Sequence, residues 1–121
     1  MGTPVKIQRR PNSQPLSMLM VVADVVAGQL TTLVDQRKAL LEAKARPGSM
    51  DAGTINHVLR VFSETKELML FYDQQIAHWR EKCSPSTTQL HEIDRLESQV
   101  ASSNAAVVDI LTLARKIQAR I

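Results

Sequence analysis

The sequence predicts an all-α fold: an elongated antiparallel bundle of three long helices with coiled-coil-like packing, preceded by a basic N-terminal tail. All five prolines lie outside three long segments, and apolar residues recur within those segments at helical spacing. Connections of only a few residues favour antiparallel neighbours. We therefore expect a tail over residues 1–15 and a helical bundle over residues 16–121, with helices at about 16–46, 51–83 and 86–120.

The expected helix boundaries rest on capping chemistry. Pro47 and Gly48 form a stop signal after the first segment, and Asp51 is suited to cap the second. Ser86, followed three residues later by Gln89, forms a capping box before the third. These signals divide the body into three helices.

Heptad repeats indicate which faces of the second and third helices pack in the core. All four aromatic residues lie in the second helix, so we expect that helix to be the central packing element, with Phe71 at its edge. The second helix carries the rows Ile55, Phe62, Met69, Ile76 and Val58, Thr65, Tyr72, Trp79. The third carries the rows Ile93, Val100, Val107, Ala114, Ile121 and Leu96, Ser103, Ile110, Ile117.

The first helix has more apolar surface than one buried stripe requires. One face holds Leu19, Val22, Val26, Leu30, Leu33 and Leu40, and further apolar residues flank it. Such excess is typical of an interface, either with a second copy or with a partner helix. The residues expected to bind a protein partner on these grounds are Met18, Val21, Val25, Leu68 and Phe71. Gly28 within this helix predicts a bend or a close helix contact.

Small residues occupy the middle of the third helix, from Ala101 to Ala106. Two interpretations stay open for this stretch. A buried Asn104 beside Ser103 would fix the register of the helices by hydrogen bonding. Alternatively, Ser103 and Asn104 belong to a docking site for a partner helix.

The excess of positive charge lies entirely in the tail. The chain carries a net charge of +3, and Lys6, Arg9 and Arg10 precede Leu16 without any acidic residue. These three side chains are the candidates for phosphate contacts, and they support an alternative function as a nucleic-acid-associated helical dimer. Recognition of nucleic acid favours bases interleaved with aromatic residues, whereas here the aromatic residues follow the heptad rows.

Catalytic, cofactor and metal sites are not expected. His57, His78 and His91 are scattered, and neither a pair of histidines four residues apart nor a Cys-x-x-Cys motif is present. Cys83 and His78 lie five residues apart at a helix end, without a third group to orient them. We expect a non-enzymatic protein, and the single cysteine fits a reducing, cytoplasmic location.

A basic stretch followed by the apolar run from Leu16 to Val26 has the outline of a secretory signal peptide. Asp24 interrupts that run, which argues against this interpretation. The interrupted run is also shorter than a bilayer requires, so no membrane association is expected.

The helical body resembles the small helical export chaperones of flagellar and type III secretion systems. The resemblance covers the body alone, and the basic tail departs from the acidic character of many such chaperones. It rests on helix lengths and on Leu33, Arg37, Leu40, Leu41, Glu42, Glu64, Lys66, Glu67 and Asn104. The expected function is a protein–protein interaction module: an adaptor, a small assembly subunit or a secretion/export-type chaperone.

Overall fold

The computed structural model describes residues 14–121, which form three long helices without a strand. A 3₁₀ turn at Leu16–Met18 leads into α1 (Leu19–Lys44), which is followed by α2 (Ala52–Lys82) and α3 (Thr87–Gln118). The predicted all-α bundle of three helices is confirmed. The basic residues Lys6, Arg9 and Arg10 lie outside the described part of the chain.

The helices begin and end close to the predicted boundaries because the capping signals act as expected. The Asp51 carboxylate accepts a 2.8 Å hydrogen bond from the Thr54 backbone N–H, which lowers the pKa of Asp51. Ser86 and Gln89 form a complete capping box, with bonds of 2.9 and 3.1 Å. Gly48 has φ of +87° in the turn after α1, a conformation that favours glycine.

Consecutive helices run antiparallel, and α1 and α3 therefore run parallel. The Gln118 side chain near the end of α3 donates to Asn56 near the start of α2. At the opposite end of the bundle, Arg80 of α2 contacts Asp94 of α3 at 2.7 Å. The guanidinium of Arg120 donates to the backbone carbonyl of Lys44, so α1 and α3 finish at the same end.

The heptad rows form the core, as predicted. Ile55, Met69, Ile93 and Val107 are fully buried or nearly so, while Thr65 and Tyr72 are only half-buried. Ile121 is 61% exposed because it follows the end of α3. One core cluster is centred on Leu40, Ile55, Val107, Ile110 and Ala114, and the other on Leu19, Val26, Met69, Trp79, Ile93 and Leu96.

The central packing element is α3, so the expectation that α2 has this role is wrong. The backbone of α3 approaches both α1 and α2 closely. Its buried positions include the small residues Ser103, Ala106 and Ala114, which allow short distances between helix axes. The larger side chains of α1 and α2 face one another across a groove.

Candidate docking groove between α1 and α2

Two cavities in line form a groove between α1 and α2, on the side away from α3. The first, of about 370 Å³, is lined by Gln14, Met18, Val22, Leu68, Phe71, Tyr72 and Gln75. The second, of about 440 Å³, is lined by Val25, Gly28, Gln29, Thr32, Leu33, Val61, Phe62 and Thr65. None of the described residues that line these cavities carries a charge. Such walls suit the apolar face of a helix.

Large apolar side chains at the groove are left open to solvent. Val21 is 52% exposed, Val25 47% and Phe71 46%. In a helix packed on one partner these positions would normally be polar. The exposed residues are contiguous with the cavity walls, and together they form an apolar patch of the type that marks interaction sites.

A polar pair lies within the apolar walls. Burial raises the pKa of the Tyr72 hydroxyl above its ordinary value, and a hydrogen bond with the Gln29 side chain partly offsets this. Among the described residues, no donor reaches the buried Oε1 of Gln29. The carboxamide oxygen of Gln29 is thus a buried acceptor for which the described residues supply no donor.

The first cavity is closed at its end by the segment that precedes α1. The backbone N–H of Gln14 donates to Oε1 of Gln75 at 2.6 Å. The carbonyl of Gln14 accepts from Nε2 of Gln75 at 3.3 Å and from the indole N–H of Trp79 at 2.9 Å. Gln75 and Trp79 are both buried, so these bonds satisfy groups that would otherwise be costly to bury. They also fix the point at which the tail meets the body, beside the groove.

No steric contact among the described residues requires a glycine at position 28 of α1. A glycine inside a helix costs about 1 kcal/mol relative to alanine. A Cβ atom built on Gly28 would meet no other atom within 4 Å, and the residue lies exposed on the groove. The close helix contact expected from the sequence is therefore wrong for the described residues, because no neighbouring helix approaches Gly28.

The structure brings together the five apolar residues that the sequence singles out on α1 and α2. Met18, Leu68 and Phe71 line the first cavity and Val25 lines the second, while Val21 lines neither and is exposed one helical turn before Val25. Because α1 and α2 run antiparallel, the first turns of α1 lie beside the second half of α2, which brings these residues together.

Ser103 and Asn104 do not line the groove. Ser103 is fully buried on α3, and Asn104 is exposed. The expectation of a buried Asn104 that fixes the register is wrong, because this position lies one residue beyond the buried row. Sequence reasoning missed Gln14, Gln29 and Gln75, since a lone glutamine belongs to no motif and only the fold shows its partners.

Side chains with catalytic or metal-binding potential are not clustered in the described chain. Within residues 14–121, no group of three His, Cys, Asp or Glu side chains is placed to hold a metal ion. Cys83 is a half-buried free thiol at the end of α2.

By length and composition, the helical stretch Leu16–Lys44 could cross a membrane. The expectation from the sequence that the apolar segment is too short to cross a bilayer is therefore wrong. A core helix of a soluble protein and an N-terminal signal sequence give the same pattern. Only 22% of the most apolar window is buried in the bundle, which leaves most of its surface accessible to a partner.

Comparison with known proteins finds no matching family model, no matching curated protein and no matching solved structure.

Proposed function

We propose that this protein is a non-enzymatic helical interaction module that binds an apolar helix in the groove between α1 and α2. The observation that carries the proposal is the uncharged lining of the two cavities, in which the apolar side chains of Val25 and Phe71 are left exposed. A helix laid in such a groove places side chains at every third or fourth residue into successive cavities. This mode of binding would serve an adaptor, a small assembly subunit or an export-type chaperone.

The lining does not favour chemistry on a small molecule. Its polar groups are hydroxyls and carboxamides, and none of the described lining residues supplies a thiol, imidazole or carboxylate. General acid–base or nucleophilic catalysis relies most often on such groups. Binding is the activity that these walls support.

Site-specific photocrosslinking in the native cell tests the proposal. A photoreactive side chain replaces Val25 in the groove or, as a matched control, Met20 on the same helix. Met20 is 56% exposed and apolar but does not line either cavity. We expect the probe at position 25 to give a discrete protein adduct that Leu68→Glu abolishes, and the probe at position 20 to give none. Equal labelling at both positions would contradict a groove-directed function.

The basic tail supports a second candidate, nucleic-acid association. The described residues carry equal numbers of basic and acidic side chains, so the charge excess belongs to Lys6, Arg9 and Arg10. Phosphate contacts by three bases would give weak, salt-dependent binding.

A further inference from the structure

We propose that the occupant of the groove is a cationic amphipathic helix of a partner protein. Its apolar residues face the groove at heptad spacing, and lysine or arginine residues lie beside them. This inference rests on the proposed function and names the chemistry of its partner. Three features of the groove support it: the spacing of the lining residues, their unequal size along the groove, and the charge of the two rims.

The lining of the groove repeats at the spacing of a coiled coil on both helices. Five lining residues on each side follow one another at intervals of four, three, four and three positions: Met18, Val22, Val25, Gln29 and Thr32 in and just before α1, and Val61, Thr65, Leu68, Tyr72 and Gln75 on α2. These are the intervals of the a and d positions of a heptad, which pack against a facing helix. Equivalent positions lie about 10.5 Å apart along each axis, so a helix with the same repeat fits both walls at once.

The side chains along the groove differ in size between its two cavities. Leu68 and Phe71 line the first cavity, whereas Gly28, Thr32 and Thr65 line the second. The second cavity is the larger, about 440 Å³ against about 370 Å³. A Cβ atom at Gly28 would meet no other atom within 4 Å, so the chain itself leaves this space unfilled. The apolar residue of the occupant that packs there is therefore expected to be large.

The rim of the groove on α1 is acidic. Asp24 lies four residues before Gly28 and Asp35 lies seven residues after it, so all three lie along one edge of the helix. Asp24 and Asp35 are the two charged residues of the stretch 14–36. Both are exposed, and neither forms an ion pair with another described residue. This edge therefore carries negative charge that the described chain does not compensate.

The rim on α2 is acidic as well. Glu64 lies three residues after Val61, which lines the second cavity, and four residues before Leu68, which lines the first. It therefore lies on the rim within the span of the groove. Glu67 lies four residues before Phe71, one turn further along the same rim. Both glutamates are exposed, and neither forms an ion pair with another described residue.

Charge complementarity favours a cationic occupant. Residues 14–36 and 61–75, the stretches that contain the lining, hold five acidic residues and one base, although the described body as a whole is neutral. In coiled-coil packing, the charges beside the apolar seam determine which partner binds. Lysine or arginine beside the apolar residues of the occupant would pair with these carboxylates, whereas aspartate or glutamate would be repelled.

Binding of two synthetic peptides to the full chain tests the inference. Each peptide has three heptads with leucine at the a and d positions, and one carries lysine at every e and g position where the other carries glutamate. The like charges within each peptide oppose its pairing with itself. We expect fluorescence anisotropy at low salt to show the lysine peptide binding about tenfold more tightly than the glutamate peptide, with a smaller difference at high salt. Equal affinities at low salt would overturn the inference.

A reversal of charge on the rim tests the complementarity. Glu64→Lys is expected to weaken binding of the lysine peptide about tenfold and to strengthen binding of the glutamate peptide, a gain that unfolding could not produce. Asp73→Lys makes the same change of charge on α2, but no residue three, four or seven positions from Asp73 lines either cavity. This control is expected to leave both affinities nearly unchanged. Equal effects of the two variants would overturn the inference.

Filling the second cavity tests where the peptide lies. Gly28→Leu places a large side chain in the space that the occupant is expected to use, so it should weaken binding of the lysine peptide about tenfold while the helical circular dichroism persists. Undiminished binding by this variant would overturn the inference.

Failure of the inference is distinguishable from failure of the proposed function. Tighter binding of the glutamate peptide, lost in Gly28→Leu, would overturn the cationic partner and leave helix binding in the groove standing. Absence of binding by either peptide, together with the absence of a photocrosslinked adduct from position 25, would overturn both. Flotation of the chain with phosphatidylcholine vesicles, lost in Val25→Glu and without binding of either peptide, would overturn the inference by assigning the groove to lipid.

Discussion

The indole N–H of Trp79 donates a 2.9 Å hydrogen bond to the backbone carbonyl of Gln14. The bond joins the last turns of α2 to the segment ahead of α1, although the two residues are 65 positions apart. Gln75, one turn earlier, donates to the same carbonyl and accepts from the backbone N–H of Gln14. Gln14 and Pro15, which the sequence places in the tail, are thereby attached to the helical body.

Two deletions that differ by two residues test this attachment. Removal of residues 1–13 keeps the Gln14 bonds, whereas removal of residues 1–15 leaves the buried polar atoms of Gln75 and Trp79 without this partner. We expect the longer deletion to lower the free energy of unfolding by about 1–3 kcal/mol relative to the shorter one. Urea unfolding followed by the fluorescence of Trp79 measures the difference, and equal stabilities would show that the bonds contribute nothing.

Ser103 offers a test of the core. Its side chain is fully buried, and its Oγ has no hydrogen-bond partner among the described residues. Replacement by alanine removes an unsatisfied polar atom with little change in volume, so Ser103→Ala is expected to stabilise the fold by about 1 kcal/mol. The neighbouring exposed residue supplies the control. Ser102→Ala is expected to change the free energy of unfolding only by the small difference in helix propensity between serine and alanine. Destabilisation by Ser103→Ala in thermal unfolding would reveal a structural role for the hydroxyl.

Tyr72 is the chain's one tyrosine and reports on the groove. Burial raises its pKa above 10.0 in the folded protein, so its contribution to stability is complete below that pH and is lost as the pH rises through the folded pKa. Absorbance titration of the tyrosinate should therefore show a higher pKa in the folded chain than in urea. Gln29→Leu removes the hydrogen bond that opposes the shift, and it should raise the pKa further. A folded pKa at or below the unfolded one would contradict the burial of Tyr72.

Removal of the tail distinguishes the two candidate functions, helix binding in the groove and nucleic-acid association. Removal of residues 1–13 takes away Lys6, Arg9 and Arg10 and leaves a body of zero formal charge. If the tail binds nucleic acid, a gel shift with DNA or RNA is present at low salt, weakens at higher salt and disappears on truncation. The groove-based proposal predicts no shift for either form. A tight shift that the truncation abolishes would favour the second candidate.

The fold could be predicted from the sequence because its signals are local and consistent. The prolines, the Asp51 cap, the Ser86–Gln89 box and the heptad rows each act within a few residues. The identity of the central helix could not be predicted, because it depends on how closely backbones approach at small residues such as Ser103. The apolar half of the site was predictable from the excess hydrophobicity around Val25. Its polar contacts, including Gln14 to Trp79, join residues far apart in sequence and become visible only in three dimensions.

Affinity purification of three forms of the full chain from the native cell, followed by light scattering of each eluted species, tests most directly whether the groove between α1 and α2 is an intermolecular interface. The wild type and Met20→Glu are expected to elute as species of the same mass, larger than the 13.5 kDa protomer, and Val25→Glu to elute as a single protomer with unchanged helical circular dichroism. Both substitutions place a charge at an exposed apolar position of α1, but only Val25 lines the groove. The same mass for all three forms, or unfolding of Val25→Glu, would contradict the account.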